Sequence, residues 1–242
     1  MNHTQAVAPV RVALVGMGRM GRALDALAGE RGCEVVARLD TADTSRGLTV
    51  AGLNGAQVAI EFTTPETALD NAEALLALGC PVVVGTTGWN AELARLTSAV
   101  ARCGVPALWS PNFSIGVQLF LAIAEDAARR AREVAGFDVH VVETHHTAKK
   151  DAPSGTGIAI GERLEAGLGR AVPISSVRVG SVPGTHEVIM DAPFEQITLT
   201  HTARDRRVFA DGALAAARWL VGPRAAAVYT MRDVLGASGS HH

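Results

Sequence analysis

The sequence predicts an α/β protein, a parallel sheet layered with helices and followed by a smaller α+β segment. Three observations predict it. Short apolar runs alternate with helix-patterned stretches over residues 10–109, the arrangement that right-handed crossovers turn into a parallel sheet. A glycine-rich turn joins the first apolar run to the first helix. After Pro111 the pattern becomes a long helix, and then strand-like stretches interrupted by turns.

Taken in order, residues 10–15 form a short apolar strand and 19–30 a helix. Residues 34–39 and 58–62 are strands. Thr63-Thr64-Pro65 then opens a helix from about residue 66 to 78. Residues 82–85 read as a strand ending in Thr86-Thr87-Gly88, 91–102 as a helix and 105–109 as a strand. The second segment opens with a helix over 115–134. Residues 137–142 alternate as a strand and 157–168 form a helix. Strand signals at 177–179, 187–190 and 196–201 are separated by turns at Pro183-Gly184 and at 191–193. Residues 212–221 read as a returning helix.

The 242-residue chain is long enough to bury a good core, and its 48% hydrophobic and 19% charged residues are ordinary for a globular protein. Aromatics make up only 4%, against 25 glycines, a balance that suits tight turns and close backbone approach to a ligand. A formal net charge of −2 argues against a general nucleic-acid binder. Cys33, Cys80 and Cys103 offer neither a disulfide framework nor zinc spacing. A reducing, cytoplasmic setting is therefore expected, with no metal. Residues 1–9 lack a signal-peptide pattern, and no apolar run reaches membrane-spanning length, so no membrane partner is expected. Residues 238–242 read as the start of a purification tag, and their histidines are set aside.

The glycine turn is Gly16-Met17-Gly18-Arg19-Met20-Gly21, a Gly-x-Gly-x-x-Gly between strand and helix. Such glycines let the backbone approach a pyrophosphate, whose charge the helix N-terminus favours. The expected acid stands at the end of the next strand as Asp40, where it would hold a ribose diol. A carboxylate there repels a 2′-phosphate, and Thr41 beside it supplies no clamp. NADH is therefore expected over NADPH, with dual use left open because Arg46 lies nearby. A plain loop-capping role for Asp40 is the alternative. The 62–65 and 85–88 strand ends present hydroxyls and free backbone groups to the nicotinamide half. Residues 110–114 end the last strand of this series.

Residues 143–156, Glu-Thr-His-His-Thr-Ala-Lys-Lys-Asp-Ala-Pro-Ser-Gly-Thr, place a proton donor, fixed positive charge and a helix start at one point. That combination suits a small anionic substrate that must be protonated. Lys149 supplies a point charge, and Ser154-Gly155-Thr156 offer hydroxyls and N–H groups at the helix N-terminus. Lys150 reads as a solvated charge, Glu143 as a residue positioning the loop, and His140, His186 and His201 as structural or surface groups. His146 contributes only if the chain has left the strand by then, since neighbours on a strand face opposite ways.

With these motifs in order, and with Asn112-Phe113-Ser114, 182–187, 209–213 and 231–235 added, nearly the whole chain resembles the dihydrodipicolinate reductase family. The resemblance implies an NAD(P)H-dependent reduction of a small cyclic dicarboxylate to tetrahydrodipicolinate in diaminopimelate and lysine biosynthesis. It implies a Rossmann-type domain over 1–114 completed by 213–242. A substrate-binding and oligomerisation domain over 115–212 would build a homotetramer. By matched motif, His145 would be the proton donor, and Lys149 a second proton donor or a carboxylate partner. His146 and the Ser154-Gly155-Thr156 turn would grip carboxylates. Gly16, Met17, Gly18, Arg19, Met20, Gly21, Asp40, Gly85, Thr86, Thr87, Pro111, Asn112, Phe113 and Ser114 would line the cofactor.

Three departures from the family pattern stand out. The nucleotide loop is one residue shorter, Thr147 and Ala148 replace an Arg and a third His, and Pro111 replaces an Ala. Two other readings remain open at this point. A related amino-acid dehydrogenase fits the first half but leaves the Asp-Ala-Pro-Ser-Gly-Thr stretch unexplained. An NAD(H)-binding sensor without turnover would be expected to have lost the proton donor or the lysine.

Overall fold

The first apolar run, Val10–Val15, is strand β1, with its last four residues buried. The computed structural model describes residues 8–134 and 136–236. The chain divides into two compact units, one running to Phe113 and resuming at Phe209, the other Ser114–Val208. Residues 1–7, Ala135 and 237–242, which include the tag-like end, lie outside the described residues.

In the first unit, helix α1 (Arg19–Ala28) follows the glycine turn, and β2 (Cys33–Leu39) pairs parallel to β1. A four-residue helix α2 (Thr41–Thr44) comes next. It is followed by β3 (Val58–Glu61), α3 (Pro65–Ala77), β4 (Val82–Val84), α4 (Leu93–Cys103) and β5 (Ala107–Trp109). Proline at the first position of α3 pre-sets the helical φ where no N–H partner is needed. The strands form one parallel sheet, together with a late strand described below. Its aliphatic core includes Val15, Leu75, Val82, Val84 and Leu96.

The second unit begins at Ser114, whose hydroxyl accepts the Val117 N–H and caps α5 (Ile115–Glu133). Strand β6 (Asp138–His145) runs three residues beyond the apolar alternation that announces it. Pairing with two neighbours carries it on: β6 lies parallel to β7 and antiparallel to β8, and register to β7 continues to His145. Helix α6 (Gly155–Leu168) starts two residues earlier than expected because Ser154 Oγ accepts the Gly157 N–H at 3.0 Å. Strands β7 (Ile174–Arg178), β8 (Thr185–Ala192) and β9 (Glu195–Thr202) complete a sheet of order β7-β6-β8-β9. One face packs on α5 and α6 through Val139, Val141, Val188, Met190, Ile160 and Leu164.

Helix α7 (Arg207–Leu220) returns the chain to the first unit. Its Gly212 leaves room for the Phe113 carbonyl, which a Cβ would meet at 1.7 Å. Strand β10 (Val228–Tyr229) then pairs with β5 and extends the first sheet to six strands in the order β10-β5-β4-β3-β1-β2. A short helix α8 (Met231–Val234) follows. A two-residue strand and four-residue helices carry too little periodicity to be read from sequence, and none was expected. No helix is long and apolar enough to cross a membrane, among the described residues.

Candidate active site

In the first unit the glycine turn is held by contacts that only glycine permits. Gly16 has φ +92°, and a Cβ there would lie 2.1 Å from the Phe62 carbonyl oxygen. A Cβ on Gly21 would meet the Gly16 carbonyl at 2.1 Å, so α1 starts directly against the turn. Gly18 caps α1 with exposed backbone. Arg19 is exposed, while Met17 and Met20 are half-buried. This is the cradle a dinucleotide pyrophosphate requires: bare backbone at the end of β1, facing a helix N-terminus.

Asp40 ends β2, exposed, and is the N-cap of α2. Its N–H donates to Asp43 Oδ2 at 2.9 Å in a capping box, so it has a local task of its own. Gly85 is buried, and a Cβ there would strike the Phe62 ring. Thr86 is buried, and its carbonyl accepts the Trp89 indole N–H at 2.7 Å, while Thr87 is exposed. Pro111 is exposed, Asn112 half-buried and Phe113 buried. The Phe113 ring meets Phe62 edge-on at 6.0 Å. Ser114 is buried and caps α5.

In the second unit, one face of the sheet changes character over two residues of register. Ile174, Val141, Val188 and Leu199 are partners across β7, β6, β8 and β9. Two residues along the strands the partners are Ser176, Glu143, His186 and His201. The next pair is Arg178 with His145. The aliphatic face therefore ends in a polar row, under the N-terminus of α6.

Glu143 is wholly buried and anchors this row. Its Oε1 accepts the Ser154 N–H at 3.2 Å and Arg178 Nη2 at 2.7 Å, and its Oε2 lies 2.6 Å from His145 Nδ1. Burial alone would raise its pKa. Hydrogen bonds from Ser176, Arg178 and Ser154, with the His145 charge, outweigh it and bring the carboxyl down to about 2. His145 is buried, and its pKa is lowered first by burial, then by Lys149 and Arg178, against the opposing pull of Glu143. With Nδ1 turned to Glu143, Nε2 is the nitrogen left to exchange a proton, and it faces Gly184. A Cβ on Gly184, at φ +154°, would lie 3.0 Å from that nitrogen.

Lys149 Nζ lies 2.9 Å from the Asp151 carboxylate, which also takes the N–H of Gly155, the first residue of α6. An acid of the chain itself thus rests on two groups expected to hold a substrate carboxylate. Asp151 is held below the usual carboxylate range, first by the Lys149 hydrogen bond. Ser154 is buried and Thr156 half-buried. His146 is half-buried, one residue past the end of β6, so the chain has left the strand as its role requires. Lys150 is exposed.

Three residues outside the sequence expectation enter the cluster. Arg178 reaches Glu143 from β7 and also donates to the Asp151 carbonyl, restoring positive charge near the loop where Thr147 and Ala148 carry none. His186, read as structural or surface, is buried with its ring 5.1 Å from His145 edge-on and its Nε2 3.4 Å from Ser154 Oγ. Burial, then the neighbouring His145, lower its pKa to about 4. Gly184 is the third. Pairing of β8 with β6 brings His186 opposite Glu143, and no single-strand pattern announces that. Glu143, His145 and His186 also offer ligand atoms within 4.8 Å of one another, a grouping the linear spacing does not suggest. Arg178 on Glu143 makes that spot unfavourable for a cation.

Two family models match the chain. "Dihydrodipicolinate reductase, N-terminus" covers residues 10–113, and "Dihydrodipicolinate reductase, C-terminus" covers residues 116–235. The 4-hydroxy-tetrahydrodipicolinate reductase of Thiobacillus denitrificans is 39% identical over 94% of this chain and 98% of its own length. That of Methanoculleus marisnigri is 40% identical over 74% of this chain and 75% of its own. Among solved structures, a dipicolinate-bound dihydrodipicolinate reductase from Paenisporosarcina sp. TG-14 superposes with a TM-score of 0.77. It is 23% identical and covers 92% of this chain and 97% of that one.

Proposed function

The chain belongs to the dihydrodipicolinate reductase family, and from that premise we propose how its own residues carry the reaction. It is an oxidoreductase that reduces the cyclic dicarboxylate dihydrodipicolinate to tetrahydrodipicolinate in diaminopimelate and lysine biosynthesis. The observation that carries the assignment of roles is the Glu143–His145 contact beside Lys149 and the α6 N-terminus.

A nicotinamide cofactor supplies hydride when bound to the first unit. The bare backbone of Gly16 and Gly18, with the α1 N-terminus, suits its pyrophosphate, and Asp40 suits its ribose diol. NADH is the expected preference, since Asp40 repels a 2′-phosphate. Hydride arriving at a conjugated imine leaves electron density that a proton must quench, and His145 Nε2 donates that proton. Glu143 fixes the ring through Nδ1 and stabilises the imidazolium. Without substrate, burial and the Lys149 and Arg178 charges lower the His145 pKa against the pull of Glu143. Two substrate carboxylates beside it act in the opposite sense and favour the protonated ring.

Lys149 leaves Asp151 to pair with one substrate carboxylate. The Ser154-Gly155-Thr156 turn donates to it, and His146 adds a further contact. The cytoplasm is the proposed setting. A homotetramer is the proposed assembly, supported by the family resemblance and by Val177, Val142 and Ile189 on the outward face of the second sheet. A light-scattering mass equal to one chain would overturn the tetramer.

The test of the reaction is loss of NADH absorbance on adding freshly prepared dihydrodipicolinate, with NADPH run beside it. Turnover with either cofactor is the expected result. Tight NADH binding without turnover would turn the reading toward a sensor.

A further inference from the structure

One buried acid lies beneath the cofactor side of the first unit and has no part in the reaction above. Glu61 is the last residue of β3 and 0% exposed, the one carboxyl buried among the described residues of that unit. Its strand partners are Val15 and Val84, so it stands at the carboxyl edge of the sheet's middle strands. The preceding Val58, Ala59 and Ile60 are buried and apolar, and packing alone would accept another aliphatic side chain here.

The carboxyl meets the two loops instead. Glu61 Oε1 accepts the Thr63 N–H at 2.9 Å and also the Thr63 hydroxyl. The same N–H reaches Thr86 Oγ1 at 2.8 Å, and Thr86 also hydrogen-bonds Glu61. Asn71 Nδ2 lies 3.3 Å from Thr63 Oγ1 and holds the other side of the hydroxyl. Phe62, between them, is wedged against the two glycine turns: a Cβ on Gly16 would strike its carbonyl, and one on Gly85 its ring. The ends of β1, β3 and β4 are thereby locked together, with Glu61 as the tie. Glu61 Oε2 is buried without a hydrogen-bond partner, a cost that the ties at Oε1 must offset.

The sheet order says which part of the cofactor this tie serves. The chain passes from β1 outward to β2, then back across to β3 and β4, so the switch point lies between β1 and β3. On that reading pyrophosphate goes to the α1 N-terminus and the adenosine ribose to Asp40, just past the end of β2. The nicotinamide half is left to the β3 and β4 ends. We propose that Glu61 is a positioning residue for the nicotinamide half of the cofactor, holding Thr63 and Thr86 in the arrangement that receives it. The proposal rests on the reading that the first unit binds a nicotinamide dinucleotide.

The experiment compares two probes by equilibrium binding, NADH and ADP-ribose, the latter lacking nicotinamide. In Glu61→Leu, NADH binding is expected to weaken about tenfold, with ADP-ribose affinity within about twofold of wild type. Glu61→Gln keeps an acceptor at Oε1 and should hold NADH affinity within about threefold of wild type. Thr63→Val removes a tie without burying a new group. It should weaken NADH several-fold and spare ADP-ribose, which serves if Glu61→Leu fails to fold. Equal loss of both probes, or unchanged NADH affinity in both Glu61→Leu and Thr63→Val, would overturn the proposal. A wild-type chain that binds neither probe would instead sink the cofactor reading itself.

Discussion

The two units build their sites in opposite ways. In the first, the site is backbone: Gly16, Gly18 and Gly21 lie within six residues, and a Cβ on Gly16 or Gly21 would collide with the chain, while Gly18 leaves open space. In the second, the site is side chains brought together by register: Glu143 and His145 on β6, Arg178 on β7, His186 on β8. The first kind fails when an atom is added, the second when a charge or a proton is removed. A dinucleotide is a large ligand held by shape and dipoles, whereas protonation needs one acid in one electrostatic setting.

Substitution at His145 tests this division most severely. His145→Gln is expected to lower kcat by about 10²- to 10⁴-fold. NADH affinity, measured by equilibrium binding, should stay within about twofold, because nothing on the glycine turn has changed. A parallel loss of NADH affinity would break the comparison, and unchanged turnover would remove His145 from the mechanism.

The next effect is on stability and belongs to the second unit alone. His186 titrates near 4 in the folded chain, against 6.5 for an ordinary histidine. As pH falls from about 6.5 towards 4, the unfolded chain takes a proton that the folded one refuses. Stability is therefore lost over that window, by something on the order of 3 kcal/mol from this group. Its neighbours His145 and His201 are shifted in the same direction and add to the slope, while Glu143 loses its contribution only below its ordinary value of 4.5. Denaturation midpoints for wild type and His186→Asn across pH 7 to 4 should converge at the acid end. Parallel curves would show that His186 is not held neutral.

Lys149→Ala sharpens the comparison from the substrate side. Removing the ammonium should lower kcat/KM for dihydrodipicolinate about 10- to 100-fold, with the loss shared between kcat and KM. It also strips Asp151 of its ion pair beside the α6 N-terminus, so Lys149→Ala with Asp151→Asn should recover part of the KM loss. An effect confined to NADH would show that Lys149 belongs to the other unit's work.

How much was legible follows from the same contrast. The parallel sheet, the glycine turn, Asp40 and the 143–156 stretch lie in contiguous residues, and their periodicity or spacing is visible in one pass. The polar row is not. Glu143 and His145 interrupt the apolar alternation that marks β6, so the sequence pattern ends the strand at Val142, although its hydrogen-bond register continues to His145. Arg178 and His186 enter by pairing with residues 33 and 43 positions away, on strands whose partners their own short signals do not specify. Gly184 was visible as a turn signal, but its closeness to His145 Nε2 exists only once β8 has paired. Local chemistry was readable; which side chains the sheet would set side by side was not.

Asp40 is where the comparison is most delicate, because a side chain there does backbone work as well. It caps α2 in a box with Asp43, and it is also the acid expected to meet the ribose. The two roles separate in Asp40→Ser. Serine keeps an N-cap oxygen but loses the charge that repels a 2′-phosphate. The melting temperature should hold within about 1 °C, since a good cap replaces a good cap. The ratio of kcat/KM for NADPH over NADH should rise by about three- to tenfold, the scale of one exposed charge beside a phosphate. If the ratio stays fixed while Asp40→Ala lowers the melting temperature, Asp40 is a cap only. Cofactor choice would then have to come from elsewhere on the rim, beginning with Arg46, which shares a small pocket with Leu39, Asp43 and Thr49.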